Sequence, residues 1–310
     1  MKIKKILFVF LCTLLLSTGC DMYELSKDED GNNVVNKDIL ISDIINYPEF
    51  KGFGKLLFPD TIRDTDTLTD LQYVLKYHTE YSADKTIEII DYLRKQVNDG
   101  NQVFYNIYTE EEMMKDTSLK DVGIIYFRGD NNKPFTIHMA GGWEYVGSIH
   151  DSMPQAYELS KLGYNAFALI YRNNAWAQAD LERAIQYINN NKESLNITNT
   201  KYSIWANAQA STVANNYSLG TTNKPTALVM QYNNLSKSVT GHEVPTYSVV
   251  GTGDQIISYK DMDERNTNLK ALGVKAEIDM IVGLGHGFGV GYNTAAANWI
   301  NRAVAFIESI

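Results

Sequence analysis

Cysteine is almost missing from this 310-residue sequence, and its two copies, Cys12 and Cys20, both fall within the first twenty residues. The rest of the chain therefore has no disulfide, no cysteine–zinc site and no thiol nucleophile. Proline is scarce at 6 residues and glycine ordinary at 21, which excludes collagen-like and mainly disordered chains. After the first twenty residues no apolar run is long enough to span a bilayer. Positive charge is in short supply, with 28 basic against 37 acidic residues and a formal net charge of −9. That balance disfavours nucleic acid and anionic membrane surfaces as partners. No spacing of His, Asp and Glu marks a metal site. Gly141-Gly142 is not a phosphate loop, because the Lys-Ser/Thr that should follow is missing. Neither a metal nor another cofactor is expected.

At the start of the chain, Lys2, Lys4 and Lys5 form a basic region, residues 6–16 are apolar, and Ser17, Thr18 and Gly19 precede Cys20. This is the pattern of a secretory signal peptide. The stretch Leu16-Ser17-Thr18-Gly19-Cys20 resembles a bacterial lipobox, whose cysteine becomes the lipidated first residue after cleavage; Ser17 stands where leucine is commoner. The expectation is an exported protein held at the bacterial membrane or cell envelope by lipid on Cys20. Losing the three lysines with residues 1–20 leaves 25 basic against 37 acidic residues, a balance of −12. Residues 21–37 are polar and read as a flexible tether.

Residues 38–120 look mainly helical and are read as an extension packing on a core formed by 121–310. The clearest case is 86–97, where Ile87, Ile89, Ile90, Leu93 and Val97 recur at helical spacing. Beyond residue 120 short apolar strands at 123–128, 134–139, 165–171, 201–206, 227–232, 247–251 and 277–282 take turns with helices at 150–162, 177–189, 259–272 and 295–307. Such alternation means an α/β architecture, a mostly parallel sheet with helices on both faces. Sites in such sheets lie beyond the carboxyl ends of the strands.

Three glycine-rich loops follow predicted strands. Gly141 and Gly142 can bring backbone N–H groups close to a ligand and aim them at a developing oxyanion. Asp254, in Gly251-Thr252-Gly253-Asp254-Gln255, is placed either to accept from a histidine ring or to close a turn. His286, flanked by Gly285 and Gly287, has little reason to exist for packing. Their order and the 32 residues between Asp254 and His286 suit the sequence nucleophile, acid, histidine. Of the other histidines, His138 reads as a core residue and His150 as one that caps or orients the first loop. His78 and His242 read as surface or loop residues.

From about Phe53 onward the chain resembles an esterase-like branch of the bacterial α/β-hydrolases, the branch usually labelled acetyl esterases or acetyl xylan esterases. The resemblance is carried by residues 104–112, 145–151, 158–167 and 285–289. It implies an α/β-hydrolase fold in which the strand at 202–205 runs into a nucleophile elbow reading Gly-Gly-Ser-Ala-Gly. This chain has Ala206-Asn207-Ala208-Gln209-Ala210. Ala208 thus stands at the serine position, and the N–H of Gln209 would join Gly141 and Gly142 in the oxyanion hole. Asn207 tolerates a left-handed backbone better than most residues. Ser211, one helical turn on, should point away from His286, and Ser148 is read as a helix cap. The expected function is an envelope-anchored, esterase-like protein of impaired catalysis that binds an acylated carbohydrate or a small ester. The alternative is an active carboxylic-ester hydrolase, using a relocated serine or carrying an engineered serine-to-alanine change.

Overall fold

The computed structural model describes residues 34–130, 132–142, 145–172 and 174–310. The expected signal peptide, Cys20 and residues 21–33 of the expected tether lie outside the described residues, as do Trp143 and Glu144. Residues Val35–Ile310 form one unit.

Its centre is a sheet of eight strands: β1 (Phe104–Asn106), β2 (Gly123–Phe127), β3 (Phe135–Met139), β4 (Asn165–Ile170), β5 (Tyr202–Asn207), β6 (Ala227–Gln231), β7 (Thr246–Gly251) and β8 (Ala276–Ile281). They lie in the order β1-β2-β4-β3-β5-β6-β7-β8. β2 is antiparallel to both β1 and β4, and every other neighbouring pair is parallel. From β2 to β7 every strand residue is buried. Strands covered on both faces read as unbroken apolar runs, which is why these stood out in the sequence. β1 did not: it is three half-buried residues within the stretch expected to be mainly helical.

The helices are α1 (Ile41–Ile45), α2 (Leu71–Val74), α3 (Ala83–Asn98), α4 (Glu110–Lys115), α5 (Ser152–Lys161), α6 (Ala177–Asn190), α7 (Ala210–Gly220), α8 (Tyr259–Ala271) and α9 (Trp299–Glu308). α3 starts where the Ser82 hydroxyl accepts from the N–H of Lys85, and it buries Ile89, Ile90 and Leu93. α5 ends at Gly163, φ +88°, where the N–H groups of Gly163 and Tyr164 return to Ser160 and Leu159 and turn the chain into β4. The last helix begins at Trp299, four residues later than its pattern suggests.

α5 packs against α3 and α9, while α6 packs against α7. Arg265 of α8 donates to Asn215 of α7. Side-chain alternation along the strands divides the two layers. Phe135, Ile137 and Met139 of β3, with Tyr202, Ile204 and Ala206 of β5, join the core under α6 and α7. Thr136, His138, Ser203, Trp205 and Asn207 point the other way. There Trp205 packs on Trp299 of α9, and Gln155 of α5 donates to Asn207. The carboxyl ends of β3, β5, β7 and β8 all open at one edge, and the candidate loops follow them.

Candidate active site

Between the end of β5 and the start of α7 stands Ala208, with φ +47°. Its N–H donates to the carbonyl of Gln231 at 3.0 Å, and its own carbonyl accepts from the N–H of Ser211 at 3.1 Å. A left-handed alanine costs about 1–2 kcal/mol, so neighbouring packing has to impose it. Asn207, the more tolerant of such a conformation, is the last residue of β5, paired with Gln231, and its amide oxygen accepts from Gln155 at 3.1 Å. The strand ladder keeps Asn207 extended and leaves the reversal to the next residue.

The loop after β3 presses on this turn. A Cβ on Gly141 would come 2.9 Å from the Cβ of Ala208, and one on Gly142, φ +129°, would come 1.9 Å from the Tyr145 carbonyl. Only glycine fits at Gly142. The N–H of Gly141 donates to Asp151 Oδ2 at 2.9 Å and points into the protein. Its expected place in an oxyanion hole is thereby corrected: a donor held by a buried carboxylate is not offered to the cleft.

Asp254 and His286 meet. His286 Nδ1 lies 2.8 Å from Asp254 Oδ2, and Asp254 Oδ1 accepts the N–H groups of Ile256 and Ile257, each at 2.8 Å. Asp254 therefore both closes its turn and holds the ring. Because a carboxylate only accepts, the Nδ1–H tautomer follows and Nε2 is turned to the other side. A cleft of about 90 Å³ is lined by His286, Ala208, Gly142, Gln209, Tyr77, Asn234, Ile256 and Ile257. α7 begins beneath it, so the positive end of that helix faces the same space.

Three solved structures are similar over most of their own length. An acetyl ester-xyloside bifunctional hydrolase from Caldicellulosiruptor lactoaceticus is 18% identical with a TM-score of 0.58, over 66% of this chain and 95% of its own. Esterase 2 from Thermogutta terrifontis, in a form phosphoramylated by tabun, is 16% identical with a TM-score of 0.54, over 66% and 93%. A carboxylesterase from Lactobacillus plantarum is 13% identical with a TM-score of 0.54, over 61% and 92%. The chain has the α/β-hydrolase fold. No protein-family model matches the sequence, and no curated protein does.

Within this α/β-hydrolase fold the serines lie away from the cleft walls. Ser211 is fully buried and its hydroxyl donates to the carbonyl of Ala206 at 3.1 Å. Ser148 does not cap α5, whose N-cap is Asp151 with no side-chain cap bond. Its hydroxyl is buried and has no partner among the described residues.

Behind the cleft lies a second group of polar residues that sequence reasoning missed. Asp151 is fully buried and accepts from Tyr232 at 2.8 Å and from Gly141, and it lies 3.1 Å from His78 Nε2. Burial alone would raise the Asp151 carboxyl, but His78 and the N–H of Gly141 hold it well below the usual carboxylate range. His78, read as a surface or loop residue, lies in a loop, but its side chain is only 3% exposed and its Nδ1 lies 3.0 Å from the Tyr145 hydroxyl. The Tyr232 ring packs 4.6 Å from that of His286. Burial first, and then the charge of Asp151, push the Tyr232 phenol far up, which keeps it a donor.

His150 does not cap the glycine loop; its Nε2 donates to the carbonyl of Gly287 at 2.9 Å and steadies the loop of His286 instead. Burial lowers it to about 4. His138 accepts from Thr136 at 2.8 Å and is lowered by burial to about 3. His242 is exposed. Thr79 reaches the same loop, its hydroxyl donating to the carbonyl of His286 and its N–H to that of Gly287, both at 2.9 Å. Nothing in Lys76-Tyr77-His78-Thr79-Glu80 signals this role, because its partners are far away in sequence. Among the described residues no group of His, Cys, Asp and Glu is arranged to hold a metal.

Proposed function

We propose that this chain is an esterase-like protein that has lost its nucleophile at Ala208, binds an acylated carbohydrate or a small ester, and is anchored to the cell envelope through Cys20. The observation that carries the reading is the backbone of Ala208. An alanine is held left-handed at a strand-to-helix turn, against a glycine loop and in one cleft with an Asp-paired histidine. In a hydrolase such a strained turn lifts a serine hydroxyl above the sheet. A methyl group has neither a proton to give His286 nor a lone pair to attack a carbonyl, so no acyl-enzyme forms. Ser211, buried and bonded to Ala206, offers no substitute. The basic leader and the Gly19-Cys20 junction support the envelope location.

Loss of a triad member removes on the order of 10⁶ in rate and leaves about 10³–10⁴ over water. The natural sequence should therefore give negligible turnover of short-chain aryl esters. Ala208→Ser should recover a small activity, and adding Asn207→Gly and Gln209→Ala should raise it by freeing the elbow. Robust turnover by the natural sequence that vanishes with His286→Ala would overturn the reading.

A further inference from the structure

We infer that the protein carries a second binding site, a groove between α6 and the loop after β1 that holds an uncharged oligosaccharide. The groove shares no lining residue with the cleft over Ala208. β1 is the first strand of the sheet and β5, which leads into Ala208, is the fifth. At about 4.8 Å per strand the two are about 19 Å apart. The inference therefore goes beyond the reading of Ala208 and does not depend on it.

The groove has a volume of about 610 Å³, against about 90 Å³ for the cleft. Sites for small organic ligands run to about 300–1,000 Å³. One wall is a single stripe of α6, where Arg183, Tyr187 and Asn190 recur at helical spacing and Asn191 continues the row. The other wall is the chain from Asn106 to Glu110. Bonds between the walls fix their separation, so the hollow is built and is not a gap left by loose packing. The Tyr108 hydroxyl donates to the buried Asp180 at 2.7 Å, and Arg183 Nε donates to the carbonyl of Ile107 at 2.8 Å. The Arg183 guanidinium also pairs with Glu112. One polar atom in the wall is left over: Asn106 Oδ1 is buried and has no partner among the described residues. Such an acceptor costs stability until something donates to it.

The walls select a ligand rich in hydroxyls and without charge. Arg183 is neutralised by Glu112, and the exposed Glu110 is the single carboxylate of the lining. The ring of Tyr108 is taken by guanidinium groups, Arg183 at 5.0 Å and Arg172 at 5.7 Å from its centroid. Tyr187, half-buried and packed 6.3 Å from Tyr105, is therefore the aromatic wall open to a ligand. Asn190 is exposed one turn further along the helix. Asn191 Nδ2 donates to the carbonyl of Tyr187 at 2.8 Å, which leaves Oδ1 as its accepting end. An amide offers donors and an acceptor in one plane, and a carboxylate offers two acceptors. A sugar is the complement of such a surface. Its hydroxyls donate and accept at fixed spacing, and its C–H face lies against an aromatic ring. An anion would meet Glu110, and an alkyl chain would leave the amides unpaired.

The test is calorimetric titration of the purified protein with xylotriose and cellotriose, neither of which carries an acyl group, and with trigalacturonate as an anionic counterpart. Expected are saturable binding of at least one neutral trisaccharide and at least tenfold weaker binding of trigalacturonate. Tyr187→Ala removes the aromatic wall and should weaken the neutral sugar at least tenfold, while Tyr187→Phe keeps the ring and should bind it nearly as the natural protein does. Because Tyr187 is half-buried, the exposed change Asn190→Ala provides a second reading on an intact fold and should weaken binding at least threefold. His286→Ala should leave binding unchanged. Failure of both neutral sugars to bind, tighter binding of trigalacturonate, or an affinity that survives both Tyr187→Ala and Asn190→Ala would overturn the inference. Binding lost with His286→Ala overturns it too, by placing the sugar in the cleft. None of these results touches the reading of Ala208, which ester turnover alone decides.

Discussion

Two buried histidines set how this fold should respond to acid. Burial lowers His138 to about 3 and His150 to about 4, from 6.5. Between pH 6.5 and about 4 the unfolded chain binds a proton on each, while the folded chain binds none. Stability is therefore complete above pH 6.5 and is lost as the pH falls. Each proton contributes about 1.4 kcal/mol per pH unit, so the pair gives about 3 kcal/mol per unit and about 4 kcal/mol between pH 7 and pH 5. Domains are commonly stable by only about 5–15 kcal/mol, so this is a large fraction of the whole. Urea unfolding at pH 7, 6 and 5 reads it directly, as a falling midpoint with an unchanged slope m. His138→Gln keeps a polar group opposite Thr136 and should halve the pH dependence. Stability constant to within about 1 kcal/mol from pH 7 to 5, or an undiminished dependence in both His138→Gln and His150→Asn, would refute the argument.

Tyr232→Phe keeps the ring against His286 but removes a donor from the buried Asp151 carboxylate, so it should destabilise by about 1.5–3 kcal/mol at pH 7. Because the partner is the ionised Asp151, that loss should hold from pH 7 down through the range in which the folded carboxylate stays charged; an unchanged stability at pH 7 contradicts the assignment. Labelling of cells with a radioactive fatty acid should mark the natural protein and not Cys20→Ser; equal labelling of both rejects the lipid anchor.

The sheet was legible because strands covered on both faces are largely apolar, and runs such as Ile124 to Phe127 and Ala166 to Leu169 say so without help from their neighbours. β1 carries no such mark, since Phe104–Asn106 is short and only half-buried. The contact of Asp254 with His286 was legible because each stands in a glycine-rich loop after a strand and in the chain order acid, then histidine. Asp151 and His78 were not, because their role depends on a contact 73 residues apart between two polar loops, and no local period encodes that distance. Gly141 shows the same limit on a smaller scale. Its identity announces a close backbone approach, but the direction of its N–H is decided by Asp151, which the loop itself does not specify.

The bonds from Thr79 to the carbonyls of His286 and Gly287 join points 207 residues apart in the case of His286. A contact that distant forms late, after nearer strands and helices have found each other, because the entropy of closing so long a loop has to be met first. Tyr77, two residues from Thr79, is a wall of the cleft, so the pocket belongs neither to the first part of the chain nor to the last but to the moment they join. A ribosome still holding the final strand holds back the cleft as well, and any later loosening of the His286 loop loosens the contact with Thr79 and the neighbouring wall residue Tyr77.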